Sequence, residues 1–145
     1  MEVQIVKMSA DDVDRAVEIE QECFSMPWTK QGFLEALKQN NSFYYVAKIG
    51  TQIVGHCGAY GVCNEGDINQ VAVTNAYRRQ GIARRMVSVM IEEMAKEGFL
   101  EITLEVRAGN NSAIALYESL GFVQEGIRKN FYEKPTEDAI IMWKR

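Results

Sequence analysis

VAVTNAYRRQGIARRMVSVMIEEM, residues 71–94, governs the reading of the whole chain. Val71-Ala72-Val73 has the apolar character of a strand end, and a polar turn carrying Gly81 follows. Beyond it Ile82, Ala83, Met86, Val87, Met90, Ile91 and Met94 recur at i, i+3, i+4 and i+7, the period of an amphipathic helix. Arg78, Arg79, Arg84 and Arg85 surround the glycine, and no Asp or Glu lies between Asp67 and Glu92 to balance them. A helix start presents unpaired N–H groups and the positive end of its dipole, so a basic loop there suits a ligand with several negative charges. The competing reading is a solvated arginine face. It leaves the missing acids unexplained.

The loop pattern R-x-x-G-x-A at residues 78–83 matches neither G-x-x-x-x-G-K-[ST] nor G-x-G-x-x-G, which argues against ATP and dinucleotides. The basic cluster is local, because the 145-residue chain has a formal net charge of −4. General nucleic-acid binding is therefore not expected. With 47% hydrophobic and 25% charged residues the composition is that of a globular protein, read as one domain over residues 1–145. Three cysteines (Cys23, Cys57 and Cys63) without C-x-x-C spacing argue against a disulfide framework and fit a reducing compartment. The first residues lack the features of a signal peptide, and no apolar run reaches the length of a membrane span. The expected location is the cytoplasm, with no membrane partner.

Outward from the central segment, Val3, Ile5 and Val6 predict a first strand. Ser9 opens an S-x-x-D capping pattern, with Val13, Ala16, Val17 and Phe24 as the stripe of a first helix. Pro27 breaks the chain, and Thr29 can cap a second helix carrying Phe33, Leu34 and Leu37. FYYVAK and IVGHCGAYGV form antiparallel strands about a turn at Gly50, and DINQVAV is the strand entering the arginine loop. Gly98 closes the long helix. EITLEV alternates, with Glu101, Thr103 and Glu105 on its polar face. Asn111 or Ser112 caps a last helix with Ala113, Leu116, Tyr117 and Leu120 as its stripe, ended by Gly121. Two strands near residues 123–129 and 138–143 follow. The order β-α-α-β-β-β-α-β-α-β-β predicts an α/β (α+β) fold with a mixed sheet.

R-x-x-G-x-A after VAV resembles the pyrophosphate-binding motif (Q/R-x-x-G-x-G/A) of the GNAT superfamily of acetyl-CoA-dependent N-acetyltransferases. NNSAIALYESLGF, residues 110–122, resembles its second signature. Within it, Pro27-Trp28, LEVRAGN (104–110), ALYESLGF (115–122) and EDAIIM (137–142) resemble the bacterial ribosomal-protein-alanine N-acetyltransferases, the RimI family. The resemblance runs over essentially the whole chain. It implies a GNAT-type acyl-CoA N-acyltransferase fold, a mixed, twisted sheet of about seven strands with about four helices, whose central strands splay to admit acetyl-CoA. It assigns Val71, Ala72 and Val73 backbone contacts to the acetyl-pantetheine arm. Arg79, Gln80, Gly81, Ile82, Ala83 and Arg84 would cradle the pyrophosphate, and Asn110 would touch the cofactor arm. The implied acceptor is a protein N-terminus, alanine of a small-subunit ribosomal protein. Acetylation of a lysine side chain or small amine, or non-catalytic acyl-CoA binding, are the alternatives. Ala76 and Ala83 stand where proline and glycine are commoner in the superfamily.

Acetyl transfer requires a neutral amine and a proton for the departing thiolate. A terminal α-amine, with pKa about 8 against about 10.4 for lysine, needs only a modest or water-relayed base. The resemblance makes Glu105 that base and Tyr117 the acid. From periodicity alone, a solvated strand residue is the commoner reading of Glu105 and a core tyrosine the commoner reading of Tyr117. Glu65 and Asp67 are the reserve bases. His56, the single histidine, has no companion ligands, so no metal is expected and a packed strand residue is the reading. Cys57 and Cys63 lack an evident paired base and read as buried structural cysteines. CFSMPWT (23–29) and NFYEKPTE (130–137) are the candidate acceptor loops, with Glu133, Glu137 and Asp138 able to attract a basic peptide or its terminal ammonium.

Overall fold

Alternating apolar residues in most strands and helical stripes between them produce a seven-stranded sheet covered on both faces. The computed structural model describes residues 2–145. In chain order the elements are β1 (Gln4–Lys7), α1 (Val13–Cys23), α2 (Lys30–Lys38), β2 (Ser42–Ile49), β3 (Gln52–Val62), β4 (Glu65–Val73), α3 (Ile82–Lys96), β5 (Glu101–Arg107), α4 (Asn111–Ser119), β6 (Val123–Tyr132) and β7 (Glu137–Lys144). This is the order expected from the sequence. Among the described residues, no helix is long and apolar enough to cross a membrane.

The strands lie in the order β1-β2-β3-β4-β5-β7-β6. Only β4 and β5 are parallel, as the α3 crossover between them requires. On one face α3 and α4 bury Met86, Val87, Met90, Met94 and Ile114 against the sheet. Each such side chain contributes about 1.5–3 kcal/mol relative to exposure. On the other face α1 and α2 close over Tyr44, Val46, Ile53 and Ala72 with Val13, Ala16, Ile19 and Phe33.

Two irregularities shape the middle of the sheet. The β4–β5 ladder begins at Glu65↔Glu101 and stops at Ile68↔Leu104. Beyond it β4 stays paired with β3 as far as Val73↔Gly55, and β5 with β7 as far as Arg107↔Ala139. Each strand keeps its outer partner and loses the inner one, so a cleft opens through the sheet. The second irregularity is a bulge on β4, where Gly58 pairs with Gln70 and Ala59 with Ile68, leaving Asn69 extra. The bulge turns Gln70 onto the α1–α2 face, where simple alternation would send it to the other. Gly58 accommodates it, since a Cβ there would sit 2.1 Å from the Tyr44 ring, which crosses β3 to meet the Asn69 amide at 3.1 Å.

Local signals behave as their chemistry dictates, with three corrections. Thr29 Oγ1 accepts the Gly32 N–H at 3.1 Å, and Asp12 Oδ2 accepts the Ser9 N–H at 2.9 Å. The cap of α4 is Asn110, whose Oδ1 accepts the Ala113 N–H at 3.2 Å, so neither Asn111 nor Ser112 fills that position. The carboxamide oxygen of Asn110 reaches the first free N–H groups from one residue earlier. Phe24 does not extend the α1 stripe: the helix ends at Cys23, and Phe24 turns out with 42% of its surface exposed. Cys57 is buried as expected, but Cys63 sits exposed at the β3–β4 turn with φ +58.

Candidate active site

The splay between β4 and β5 is entered from both faces. On the α3–α4 face a 560 Å³ crevice is lined by Val71, Ala72 and Val73, by the loop through Arg79 and Gly81, and by the start of α3 at Ile82, Ala83 and Arg84. Asn110, Ala113 and Tyr117 form its opposite wall. On the α1–α2 side a 370 Å³ cavity lies between β4, β5 and the loop after α1. Cys23, Phe24, Val71, Asn110, Ala113 and Tyr117 line both spaces, so crevice and cavity meet at the splay.

The crevice offers what a pyrophosphate and a pantetheine arm need. The first hydrogen bond within α3 runs from the Arg85 N–H to the Gly81 carbonyl at 3.1 Å, so the amides just before Arg85 start the helix without intrahelical acceptors. Gly81 holds φ +79, and nothing lies within 4 Å of where a side chain would project. The backbone conformation favours glycine there, and crowding inside the chain does not demand it. Arg79 also has positive φ, at +64. The inner edge of β4 beyond Ile68, unpaired with β5, leaves backbone groups free for an amide-bearing arm.

Most of the expected cofactor residues come together in this crevice: Val71 to Val73, Arg79, Gly81 to Arg84, and Asn110. Gln80 is exposed and does not line it. The arginines divide by task. Arg78 donates from Nε to the Val73 carbonyl at 3.0 Å and from a terminal nitrogen to Cys23 Sγ at 3.1 Å, so it ties the loop to β4. Arg84 donates to Ser119 Oγ at the end of α4. Glu22 fastens the loop from the other side: its carboxylate accepts the Asn75 N–H at 2.6 Å and the Thr74 hydroxyl at 2.8 Å. Those bonds hold its carboxyl below the usual range.

Glu105 and Tyr117 line the same cavity. Tyr117 is 7% exposed, stacks edge-on with Phe122 at 5.7 Å, and has no hydrogen bond to its hydroxyl within the described residues. Burial pushes its hydroxyl pKa well up, so it stays protonated at neutral and alkaline pH. Glu105 Oε2 lies 3.0 Å from Arg128 Nε, yet that N–H is not aligned for a hydrogen bond. Asp67 lies on the same face and accepts the Tyr60 hydroxyl at 3.2 Å. Its pKa is raised, chiefly by burial and further by the Glu105 charge. Neither Asp67 nor Glu65 lines the cavity.

Several residues of the cavity carry no sequence signal of their own. Arg107, two positions beyond Glu105, donates to the Pro135 carbonyl at 2.9 Å and the Glu133 carbonyl at 2.8 Å, and its guanidinium lies 4.6 Å over the Tyr132 ring. Glu137 accepts from Arg107 at 3.2 Å and from the Gly109 N–H at 2.6 Å. Asp138 accepts the Asn130 N–H at 2.9 Å. These two carboxylates therefore brace the β6–β7 loop. His56 is fully buried against Phe33, with Nε2 3.2 Å from Glu20 Oε2. Among the described residues no cluster of His, Cys, Asp and Glu is arranged to hold a metal.

A mixed sheet split between its parallel strands, with a glycine loop and helix start on one side and a carboxylate and tyrosine at the split, defines an acyltransferase of the acyl-CoA type. The profile of the acetyltransferase (GNAT) family matches residues 13–122, and the chain belongs to that family. It is 36% identical over 142 residues to the [ribosomal protein bS18]-alanine N-acetyltransferase of Escherichia coli strain K12, covering 95% of this chain and 94% of the relative. The protein of the same description from Haemophilus influenzae is 33% identical over 144 residues, with 95% of each chain covered. The crystal structure of the ribosomal-protein-S18-alanine N-acetyltransferase from Escherichia coli superposes with a TM-score of 0.91 at 33% identity, over 99% of this chain and 93% of that one.

Proposed function

We propose that the chain transfers the acetyl group of acetyl-CoA to the α-amine of a protein N-terminus, with alanine of ribosomal protein bS18 as the acceptor. The observation that carries this is the junction of two spaces at the splay, a crevice suited to a pyrophosphate and an acid-bearing cavity, with Tyr117 at their meeting point and Glu105 on the cavity wall. The names of the E. coli and H. influenzae relatives support the acceptor. Residues 1–145 act as one catalytic domain in the cytoplasm, without direct nucleic-acid contact.

When bound, acetyl-CoA supplies an acetyl group activated as a thioester. The amides at the start of α3 and Arg79 hold the pyrophosphate, and the open edge from Val71 to Val73 aligns the pantetheine amides. Asn110, whose oxygen caps α4, retains its Nδ2 donors for the arm. Glu105 takes the proton of the acceptor amine, directly or through a water, as attack proceeds. Tyr117, kept protonated by burial, gives its proton to the departing thiolate.

The test compares a peptide with a free N-terminal alanine and the same peptide N-terminally blocked but carrying a lysine, at neutral pH. Free thiol release and mass spectrometry are expected to report acetylation at the α-amine. Faster modification of the lysine side chain transfers the assignment to a lysine acetyltransferase, and no thiol release from either leaves an acyl-CoA-binding module.

A further inference from the structure

Buried polar side-chain atoms without a hydrogen-bond partner are costly and few in folded chains. Among the described residues they belong to Glu20, His56, Gln70 and Glu105. Glu20, Gln70 and Glu105 line the 370 Å³ cavity, and His56 stands directly behind Glu20. Gln70 is, with His56, one of two side chains with both polar atoms unpartnered, and of the two it lines the cavity. It is 6% exposed, and both its Oε1 and its Nε2 lack a partner. Its place results from the Asn69 bulge, which sets it on the same face as Glu105, on the opposite bank of the splay.

We propose that the Gln70 carboxamide is a specificity residue that reads the first peptide group of the acceptor. The assignment rests on the N-terminal acetyltransferase reading above. A carboxamide donates and accepts in one plane, which is the complement of a peptide N–H and C=O. In a chain whose α-amine faces Glu105, the first peptide group begins only two bonds of about 1.5 Å each from that amine. It therefore falls beside the neighbouring strand. A lysine side-chain amine stands four methylenes from its backbone and offers no peptide group at that distance. Gln70 thus separates α-amines from side-chain amines by what lies next to the nitrogen, in addition to the difference in their basicity. The orphaned amide of the free enzyme is satisfied when a peptide arrives.

The experiment uses the full chain with an alanyl peptide and its analogue in which the first amide is replaced by an ester, removing one N–H. Wild type is expected to lose about 10- to 100-fold in kcat/KM on the ester. Gln70→Met, similar in length and apolar, is expected to lose a comparable factor on the amide and to show no further loss on the ester. Its affinity for acetyl-CoA stays unchanged by calorimetry, and its Tm is equal or higher because an unpaired buried amide has been removed. Equal kcat/KM of wild type for amide and ester overturns the proposal without need of any variant. So does a folded Gln70→Met that keeps wild-type discrimination between the two. If wild type acetylates neither peptide, the N-terminal reading itself falls, a result distinct from loss of discrimination.

Discussion

Glu105 and Tyr117 line one cavity from different elements, and the opposite chemical tasks proposed for them make them separable. Glu105→Gln preserves shape but cannot take a proton, so kcat is expected to fall about 10²–10⁴-fold near neutral pH. The deficit shrinks as pH rises towards the amine pKa of about 8, because more of the acceptor arrives already neutral. Tyr117→Phe behaves differently. The Tyr117 pKa is raised by burial, so the native hydroxyl remains a donor throughout the assay range. Removing it slows thiolate departure at every pH and leaves acetyl-CoA affinity nearly intact. Full pH–rate profiles of the two folded variants check this. Wild-type kcat in both would reassign the base to Asp67 acting through water. Asp67 shares the face of Glu105 but does not line the cavity.

On the proposed reading, cofactor binding turns on the loop from Thr74 to Gly81 and the start of α3. The α3 start was plain in the sequence, because Met86, Met90 and Met94 keep a helical period and Gly81 precedes them. The splay was not. DINQVAV and EITLEV read as ordinary strands, and nothing in either says that pairing ends at Ile68↔Leu104. The bulge at Asn69 was equally hidden, since it depends on Gly58 leaving room for the Tyr44 ring two strands away. Gln70 and Arg107 were missed for the same reason: their roles come from tertiary register, to which local periodicity is blind. The glycine can be tested directly. Gly81→Val must leave φ +79 and would project into open space. It is expected to weaken acetyl-CoA binding by about 1–3 kcal/mol through lost backbone hydrogen bonds. Gly81→Asn tolerates the left-handed conformation and is expected to fold more normally while still hindering ligand approach. Isothermal calorimetry on both decides, and unchanged affinity in folded Gly81→Val would remove the loop from the cofactor site.

At the scale of the molecule, two half-sheets share only the short ladder from Glu65↔Glu101 to Ile68↔Leu104, and beyond it they are held by helices on either face. A ligand in the splay would therefore act as a missing strand, pairing with backbone that neither neighbour satisfies. Two consequences follow from mass action and from location. Acetyl-CoA at a hundred times its Kd stabilises the native state by about 2.7 kcal/mol. For a chain of this size, at roughly 2–4 °C per kcal/mol, Tm should rise by about 5–10 °C. The protection should also be local. Amide hydrogen exchange is expected to slow at Val71 to Val73 and at the start of α3, while the outer pairs β1–β2 and β6–β7 change little. Thermal denaturation across a ligand series, followed by exchange mass spectrometry at saturation, measures both. A rise in Tm with protection confined to the outer strands would mean that the ligand binds elsewhere. No rise at all would mean that the splay is not the cofactor site, because any ligand bound only by the native state must stabilise it.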